Sequence, residues 1–269
     1  MKISLSTKIL WQTNLIDSLK LIKEKGYDGA EIWEYQIHRD IEDLSWFKKY
    51  LQQLELEITL HSPNDDINLS STNNEIRKVS VKQIEESIKL ASKLGLKIIT
   101  VHPGRKTSSK DNLNQIWELQ IDSFNQLVKV AEEHDVFLGI ENMESRAKEM
   151  IIFPKDINRL ISDIRSKCVG ITLDLAHIAT IGSLTVKEYI SELQEKIIHA
   201  HLSDSNNTIT HLPLGWGNSN LSGMLSALQK KYDKNVVIEG YVPGKEIEVL
   251  ENNINIWQKI WKDKKEILN

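Results

Sequence analysis

The strongest constraint in this chain is a series of six short apolar segments, each ending in a residue type that can bind a metal ion. The six end residues are His61, His102, Glu141, Asp174, His201 and Glu239. Successive members are spaced by about the 30 or more residues that one strand-helix-strand step requires. In a closed parallel barrel the carboxyl ends of all strands meet at one rim, so these side chains would converge there. The pattern therefore predicts an active site assembled from distant parts of the chain.

Length and composition are compatible with such a barrel and argue against several other classes. The chain has 269 residues and a net charge of −4, with 34 basic and 38 acidic residues spread along it. We expect a single domain over residues 1–269, since (β/α)8 barrels typically have ~250 residues. The charge distribution argues against nucleic-acid and membrane partners. The single cysteine, Cys168, and the absence of an export-type or membrane-type apolar segment predict a cytoplasmic location.

Hydrophobic periodicity predicts eight strand-helix units. Strands are expected near residues 3–6, 29–33, 57–61, 97–102, 136–141, 169–174, 197–202 and 235–240. The clearest of the intervening amphipathic helices runs from Thr72 to Leu94 and stops at Gly95. Short apolar strands alternating with helices indicate a parallel sheet covered on both faces. Eight such units favour an α/β fold of one class, a single (β/α)8 TIM barrel.

The loops after these strands carry motifs that together resemble a known family. In chain order they are HSP at 61–63, HPG at 102–104, IEN at 140–142, LDLAH at 173–177, HLSDS at 201–205, HLPLGWG at 211–217 and IEG at 238–240. Each motif alone is weak, but their order and spacing are specific and extend over essentially the whole chain. The chain is similar to the xylose isomerase-like TIM barrel superfamily. That group contains sugar and sugar-phosphate isomerases and epimerases together with the apurinic endonucleases.

In the isomerase and epimerase branch, the resemblance implies one divalent metal ion held by Glu141, Asp174, His201 and Glu239. The family uses the pair matching Glu141 and Glu239 also as general acid and base. Three carboxylates and one imidazole suit Mn²⁺, Mg²⁺ or Co²⁺ and can take Zn²⁺. Without a cation, three clustered carboxylates would repel one another at a large cost, so a metal ion is expected.

In the endonuclease branch, the resemblance implies a trinuclear zinc site. That site also uses the positions matching His61, His102, His177 and His211, together with an aspartate two residues before the last of these histidines. This chain has Ile209 at the aspartate position. The third metal ion of such a cluster would therefore lose a ligand, which argues against the trinuclear arrangement.

The four additional histidines have more than one interpretation. His177 resembles a family residue that hydrogen-bonds a substrate oxygen, with a structural role as the alternative. His61 and His102 are candidates for substrate contacts, for ligands of a second zinc ion or for structural polar groups. His211, in the glycine-rich motif, is a candidate substrate contact or metal ligand.

Other residues near the strand ends carry weaker predictions. Arg105 is a candidate partner for a substrate phosphate or carboxylate, or a solvated arginine at the rim. Trp33 could pack its indole on the apolar face of a sugar or simply cover the barrel end. Glu34 could bind a substrate hydroxyl or be salt-bridged. His199 is predicted to point to the opposite face from His201, as a contact between barrel and helix.

Together these features predict a divalent-metal-dependent isomerase or epimerase that acts on a small-molecule sugar or sugar phosphate. Proton transfer would pass through a metal-stabilised enediolate. Epimerase and isomerase both fit the sequence, and a homo-oligomer is compatible with it. The main alternative is an endonuclease IV-like phosphodiesterase acting on abasic DNA, which Ile209 and the acidic net charge disfavour. A sensor of sugars without catalysis is a third alternative, and the intact ligand set argues against it.

Overall fold

The eight predicted strands close into one parallel barrel. This computed structural model describes residues 1–108, 110–194, 196–206 and 209–268. The strands are β1 (Lys2–Ser6), β2 (Gly29–Trp33), β3 (Glu57–His61), β4 (Ile98–Val101), β5 (Phe137–Glu141), β6 (Val169–Asp174), β7 (Ile197–Leu202) and β8 (Asn235–Ile238). Each strand pairs in parallel with the next, and β8 returns to pair with β1. The predicted fold class, a (β/α)8 TIM barrel, is confirmed.

Ten helices in the described part of the chain follow or connect the strands. They are α1 (Leu15–Glu24), α2 (Glu34–Asp40), α3 (Leu44–Gln53), α4 (Asn74–Leu94), α5 (Leu113–His134), α6 (Pro154–Ile164), α7 (Leu175–Ala179), α8 (Val186–Glu192), α9 (Leu221–Leu228) and α10 (Glu246–Leu268). α4 begins slightly later than predicted because the side chain of Asn73 caps its first turn by accepting from the backbone N–H of Glu75 and Ile76. None of the described helices combines the length and apolar character needed to cross a bilayer.

The apolar core lies between the barrel and its helices. Alternate strand residues such as Leu60, Ile99 and Leu138 are fully buried there. Replacing one of these leucines by alanine would cost about 2–5 kcal/mol, because the cavity left behind relaxes only in part. Because successive side chains of a strand point to opposite faces, the residues between these apolar positions point into the barrel, where the polar residues lie.

A layer of polar side chains fills the barrel interior just below the carboxyl rim, and we call it the barrel floor. Its members are Glu31, Thr59, Thr100, Thr172 and His199, which contact one another across both adjacent and non-adjacent strands. The prediction that His199 faces away from His201 is wrong. Residues two apart on a strand share a face, so both histidines point inward. A Cβ on Gly139 would lie 2.1 Å from Thr172 Oγ1, so the floor leaves room for glycine only at that position.

Candidate metal and substrate site

Four of the strand-end residues converge at the carboxyl rim of the barrel. The nearest ligand atoms of Glu141, Asp174, His201 and Glu239 all lie within 4.8 Å of one another. His201 Nδ1 is 3.2 Å from Glu141 Oε1 and 3.3 Å from Glu239 Oε2. The first three residues are buried, and the side chain of Glu239 is 10% exposed. We call these four residues the central group.

Two oxygens of the central group are buried without a hydrogen bond from any described residue. They are Glu141 Oε2 and Asp174 Oδ2. His102 Nε2 lies 2.9 Å from Glu141 Oε2 but outside hydrogen-bonding geometry, and His177 Nε2 is 3.7 Å from Asp174 Oδ2. A buried carboxylate oxygen without a partner is unfavourable by about 1–3 kcal/mol or more. The central group therefore fits a divalent cation, which would satisfy both oxygens.

Asp174 is held rigidly because one of its oxygens caps a helix. Its Oδ1 accepts hydrogen bonds from the backbone N–H of Ala176 at 2.7 Å and of His177 at 2.9 Å. The amide of Asn142 accepts from the N–H of Asp174 and donates to its carbonyl, at 2.8 and 3.0 Å. These bonds orient the carboxylate at the end of β6, so that Oδ2 is the oxygen left for a ligand.

Opposite charges stabilise one another in the central group. Burial alone would lower the pKa of His201, but Glu239, Glu31 and Glu141 outweigh it and raise the pKa well above its usual value. Burial alone would raise the pKa of Glu239, and the imidazolium of His201 instead lowers it to about 2. His102 and His201 hold the pKa of Glu141 well below its usual value in the same way. The histidine proton thus compensates the carboxylates when no cation is bound.

A second group joins His61 and His102 to Glu141. The nearest ligand atoms of these three residues also lie within 4.8 Å of one another. His61 Nδ1 lies 2.8 Å from the carbonyl of Ser62, which can only accept, so Nδ1 carries a proton, and Nε2 presents a lone pair when the ring is neutral. Trp33 stacks on this imidazole, with ring centroids 4.6 Å apart and planes at 14°.

A third group brings Glu144 to His177 and His211. Their nearest ligand atoms lie within 4.8 Å of one another, and Glu144 Oε1 is 3.9 Å from His211 Nε2. Ile209, at the position where the endonuclease branch has an aspartate, is 51% exposed. The carboxylate beside His211 comes instead from Glu144, which lies in the loop after β5. Glu144 was missed by sequence reasoning, although its position three residues after Glu141 in the same loop was a usable signal.

The loop that carries His211 is organised by Asp204. The Asp204 carboxylate accepts hydrogen bonds from the backbone N–H of Gly215, Gly217 and Ser219, at 2.9, 3.0 and 3.0 Å. His211 has a φ of 56°, a left-handed conformation that is unfavourable for a residue with a side chain. The buried carboxylate thus helps to fix a strained loop that aims His211 at the site. This role of Asp204 was also missed by sequence reasoning.

All six candidate substrate-binding residues line one cavity of about 450 Å³, a size typical of small-molecule sites. They are Trp33, His61, His102, Arg105, His177 and His211. Glu141 and Glu239 line it as well, and so do Lys8 and Arg146. Lys8 Nζ lies 3.9 Å from the centroid of a Trp33 ring that also stacks on His61. The indole is therefore packed between protein groups, and it bounds the cavity without offering an open face.

Of the two interpretations of Glu34, a substrate contact or a salt bridge, the structure supports the salt bridge. It is buried, and its Oε1 lies 3.1 Å from His38 Nε2. In the described part of the chain it lies outside the wall of the cavity. Glu31, three residues earlier, is the strand-2 carboxylate that contacts the central group, at 2.9 Å from His201 Nε2.

Comparison with known proteins agrees with the barrel fold. A family model described as xylose isomerase-like TIM barrel matches residues 19–260. The chain belongs to this family. An uncharacterized protein of Methanocaldococcus jannaschii is 30% identical over 89% of this chain and 83% of its own length. A solved D-tagatose 3-epimerase-like protein is 27% identical with a TM-score of 0.86, and the match covers 100% of both chains.

The endonuclease branch of the family also has relatives of this chain. A probable endonuclease 4 of Malacoplasma penetrans is 27% identical over 60% of this chain and 58% of its own length. The match is less complete than that to the epimerase-like structure. The resemblance inferred from the motifs is thereby confirmed for the family as a whole.

Proposed function

We propose that this protein is a divalent-metal-dependent isomerase or epimerase of a small sugar or sugar phosphate. The observation that carries the proposal is the pair of carboxylates from opposite parts of the barrel, Glu141 at the end of β5 and Glu239 just after β8. Both lie near His201 Nδ1, at 3.2 and 3.3 Å, and both line a cavity large enough for one sugar. The full-length similarity to a D-tagatose 3-epimerase-like protein supports it.

The central group would hold the metal ion, with Mn²⁺, Mg²⁺, Co²⁺ or Zn²⁺ as candidates. Such an ion supplies electrostatic stabilisation for the negative charge that develops on the substrate when a carbon next to a carbonyl loses its proton. The buried oxygens Glu141 Oε2 and Asp174 Oδ2, which lack a hydrogen bond from the described residues, support this assignment.

Proton transfer is assigned to Glu141 and Glu239. Both carboxylates are ionised in the metal-free protein, since the imidazolium of His201 helps to lower the pKa of each, and a bound cation would take over this role. One carboxylate removes the proton from a carbon next to the carbonyl, and the other returns a proton from the opposite side. Exchange on opposite faces of one carbon inverts that centre, whereas exchange between adjacent carbons moves the carbonyl.

The remaining cavity residues would bind the rest of the substrate. In its neutral form His177 presents a lone pair on Nε2, because His177 Nδ1 lies 2.7 Å from the carbonyl of Asn142, which can only accept. Arg105 and Lys8 add positive charge to the wall of the cavity, and Arg146 lies there in an ion pair with Glu144. These cations would accommodate the anionic end of a sugar phosphate.

The proposal is tested by a substrate screen with matched variants. Purified protein would be incubated with ketoses, aldoses and their phosphates in the presence of Mn²⁺, Co²⁺ or Mg²⁺. Turnover by the wild type should be lost in Glu239→Gln and retained in Glu248→Gln, a control whose side chain is 56% exposed on α10. Absence of turnover on every sugar with any of the metals would contradict the proposal.

A phosphodiesterase acting on abasic DNA is the second candidate function. The observation that favours it is the presence of further cation-sized groups, among them one containing His61 and His102 and another containing Glu144, His177 and His211. The partial similarity to a probable endonuclease 4 points the same way. The net charge of −4 opposes it, because DNA binding usually requires several cations that neutralise phosphates.

A further inference from the structure

His201 has a carboxylate on each side of its imidazole ring. Its Nδ1 faces Glu141 and Glu239 in the central group, whereas Glu31 Oε1 lies 2.9 Å from its Nε2. Glu31 and His201 are both fully buried. Among the described residues, neither Glu31 Oε1 nor His201 Nε2 has a hydrogen bond to a third group, and the two atoms make a close charge–charge contact at 2.9 Å. Within the described residues, the ion-pair contact of each of these two atoms is with the other.

The barrel floor fixes the orientation of Glu31. Its other oxygen, Oε2, accepts hydrogen bonds from Thr59 Oγ1 and Thr100 Oγ1, each at 3.2 Å. His199 Nε2 lies 2.7 Å from the same oxygen. These three donors come from three different strands, so the carboxylate cannot turn without breaking several contacts. Oε1 is thereby held toward His201.

We propose that Glu31 is a positioning residue for His201 and that His199 in turn positions Glu31. A histidine binds a metal ion through a nitrogen without a proton, and a carboxylate beside the other nitrogen keeps the proton there. Glu31 would hold the proton of His201 on Nε2 and leave the lone pair of Nδ1 for the cation. This inference rests on the proposed function in one respect, namely that the central group binds a metal ion.

Glu31, His199 and His201 also lie close enough together to form a cation group of their own. The contacts favour the positioning role, because Glu31 Oε2 already accepts from Thr59, Thr100 and His199. The two roles differ in the number of ions bound. A positioning residue changes the affinity of one site, whereas a ligand of a separate site removes one ion per chain when it is replaced.

The test is to measure the binding of Co²⁺ to metal-stripped protein. Titration calorimetry gives the affinity and the number of ions per chain, and the visible spectrum of bound Co²⁺ is recorded in parallel. Glu31→Gln should weaken binding at the central group by about 10- to 100-fold, with the number of ions per chain unchanged. The matched control is Glu34→Gln, which replaces another buried carboxylate that pairs with His38 rather than His201. The control should bind Co²⁺ like the wild type.

Thr100→Val is a second variant, and it keeps the inference testable if Glu31→Gln fails to fold. It removes one hydroxyl bonded to Glu31 at nearly constant volume, and it should weaken Co²⁺ binding by a smaller factor. Wild-type affinity in both folded variants, or loss of one whole ion per chain in either, would overturn the inference. A wild-type protein that binds no Co²⁺ would instead contradict the proposed metal-dependent function. Failure of the inference about Glu31 and failure of the proposed function are therefore distinguishable.

Discussion

The Nε2 atoms of His177 and His211 face each other at 3.1 Å, although the two residues follow different strands. His177 Nδ1 lies 2.7 Å from the carbonyl of Asn142, so the neutral ring of His177 presents a lone pair on Nε2 toward His211. A proton on His211 Nε2 can form a hydrogen bond between the two rings, and a metal ion could instead be bound by both nitrogens. Whether a metal ion binds at this pair therefore distinguishes the two candidate functions. The epimerase proposal needs one ion, in the central group, whereas an endonuclease-type cluster needs three.

The first prediction concerns metal content. We expect about one tightly bound divalent ion per chain, because Glu141, Asp174, His201 and Glu239 are the described group with the most ligands. Asp174→Asn should lose the ion, since Asp174 Oδ2 is a buried carboxylate oxygen without a hydrogen bond from the described residues. Elemental analysis of dialysed protein measures the ratio of metal to chain.

The same measurement with Glu144→Gln tests the third group. The mononuclear assignment expects no change in metal content, because Glu144 belongs to a group that shares no residue with the central group. Three zinc ions per wild-type chain, falling to two in Glu144→Gln, would reject the mononuclear assignment and favour the phosphodiesterase.

The second prediction concerns DNA. Cleavage of a duplex at an abasic site should stay at background with Zn²⁺, Mn²⁺ or Mg²⁺, since the chain carries a net charge of −4. A gel assay with a labelled oligonucleotide checks this. Robust nicking that disappears in Glu141→Gln and persists in Glu248→Gln would move the protein to the endonuclease branch.

The third prediction tests the two-carboxylate mechanism. Turnover of a sugar substrate in D₂O should place deuterium at the reacting carbon, because a carboxylate exchanges its proton with solvent before returning it. Glu239→Gln should lower kcat by about 10²- to 10⁴-fold, the usual effect of losing a positioned acid or base. Metal content of the variant must be measured in parallel, since Glu239 is also a proposed ligand. Product without deuterium, together with a label that moves intact between adjacent carbons, would indicate a hydride shift instead.

The fold and the convergence of the strand-end residues could be predicted from the sequence because both follow from strand positions, whereas the resemblance to the family singled out the four residues of the central group. A polar residue such as Asp174 at the end of an apolar strand must point into the rim when its neighbours are buried. The barrel then brings it to Glu239, which is far away in the chain. No knowledge of loop conformation was needed for this step.

The barrel floor and the third group were harder to predict, for two physical reasons. Glu31 lies in the middle of a strand, where a carboxylate is tolerated only because His199 and His201 lie beside it, and these residues are remote in sequence. Glu144 reaches His211 through loop conformations that depend on contacts such as those of Asp204. The inward direction of His199, by contrast, follows from alternation along β7, because residues two apart lie on the same face.

The last prediction concerns the stability of metal-stripped protein at different pH values. Glu239, Glu31 and Glu141 raise the pKa of His201 well above the usual 6.5, against the opposing effect of burial. A folded-state pKa above the unfolded value stabilises the fold fully at pH values below the unfolded pKa, and this stability is lost as pH rises through the folded pKa. The free energy of unfolding should therefore decrease as the pH rises above about 6.5, as measured by urea denaturation.

Two comparisons isolate His201 in that experiment. Protein saturated with Co²⁺ should show a smaller decrease over the same pH range, because the cation replaces the proton in compensating Glu141 and Glu239. Metal-stripped His201→Gln should be less stable than the wild type at about pH 6.5 and should lack the decrease, since the titrating group is gone. An equal decrease in His201→Gln would assign the effect to other groups and contradict the stabilising role of the imidazolium.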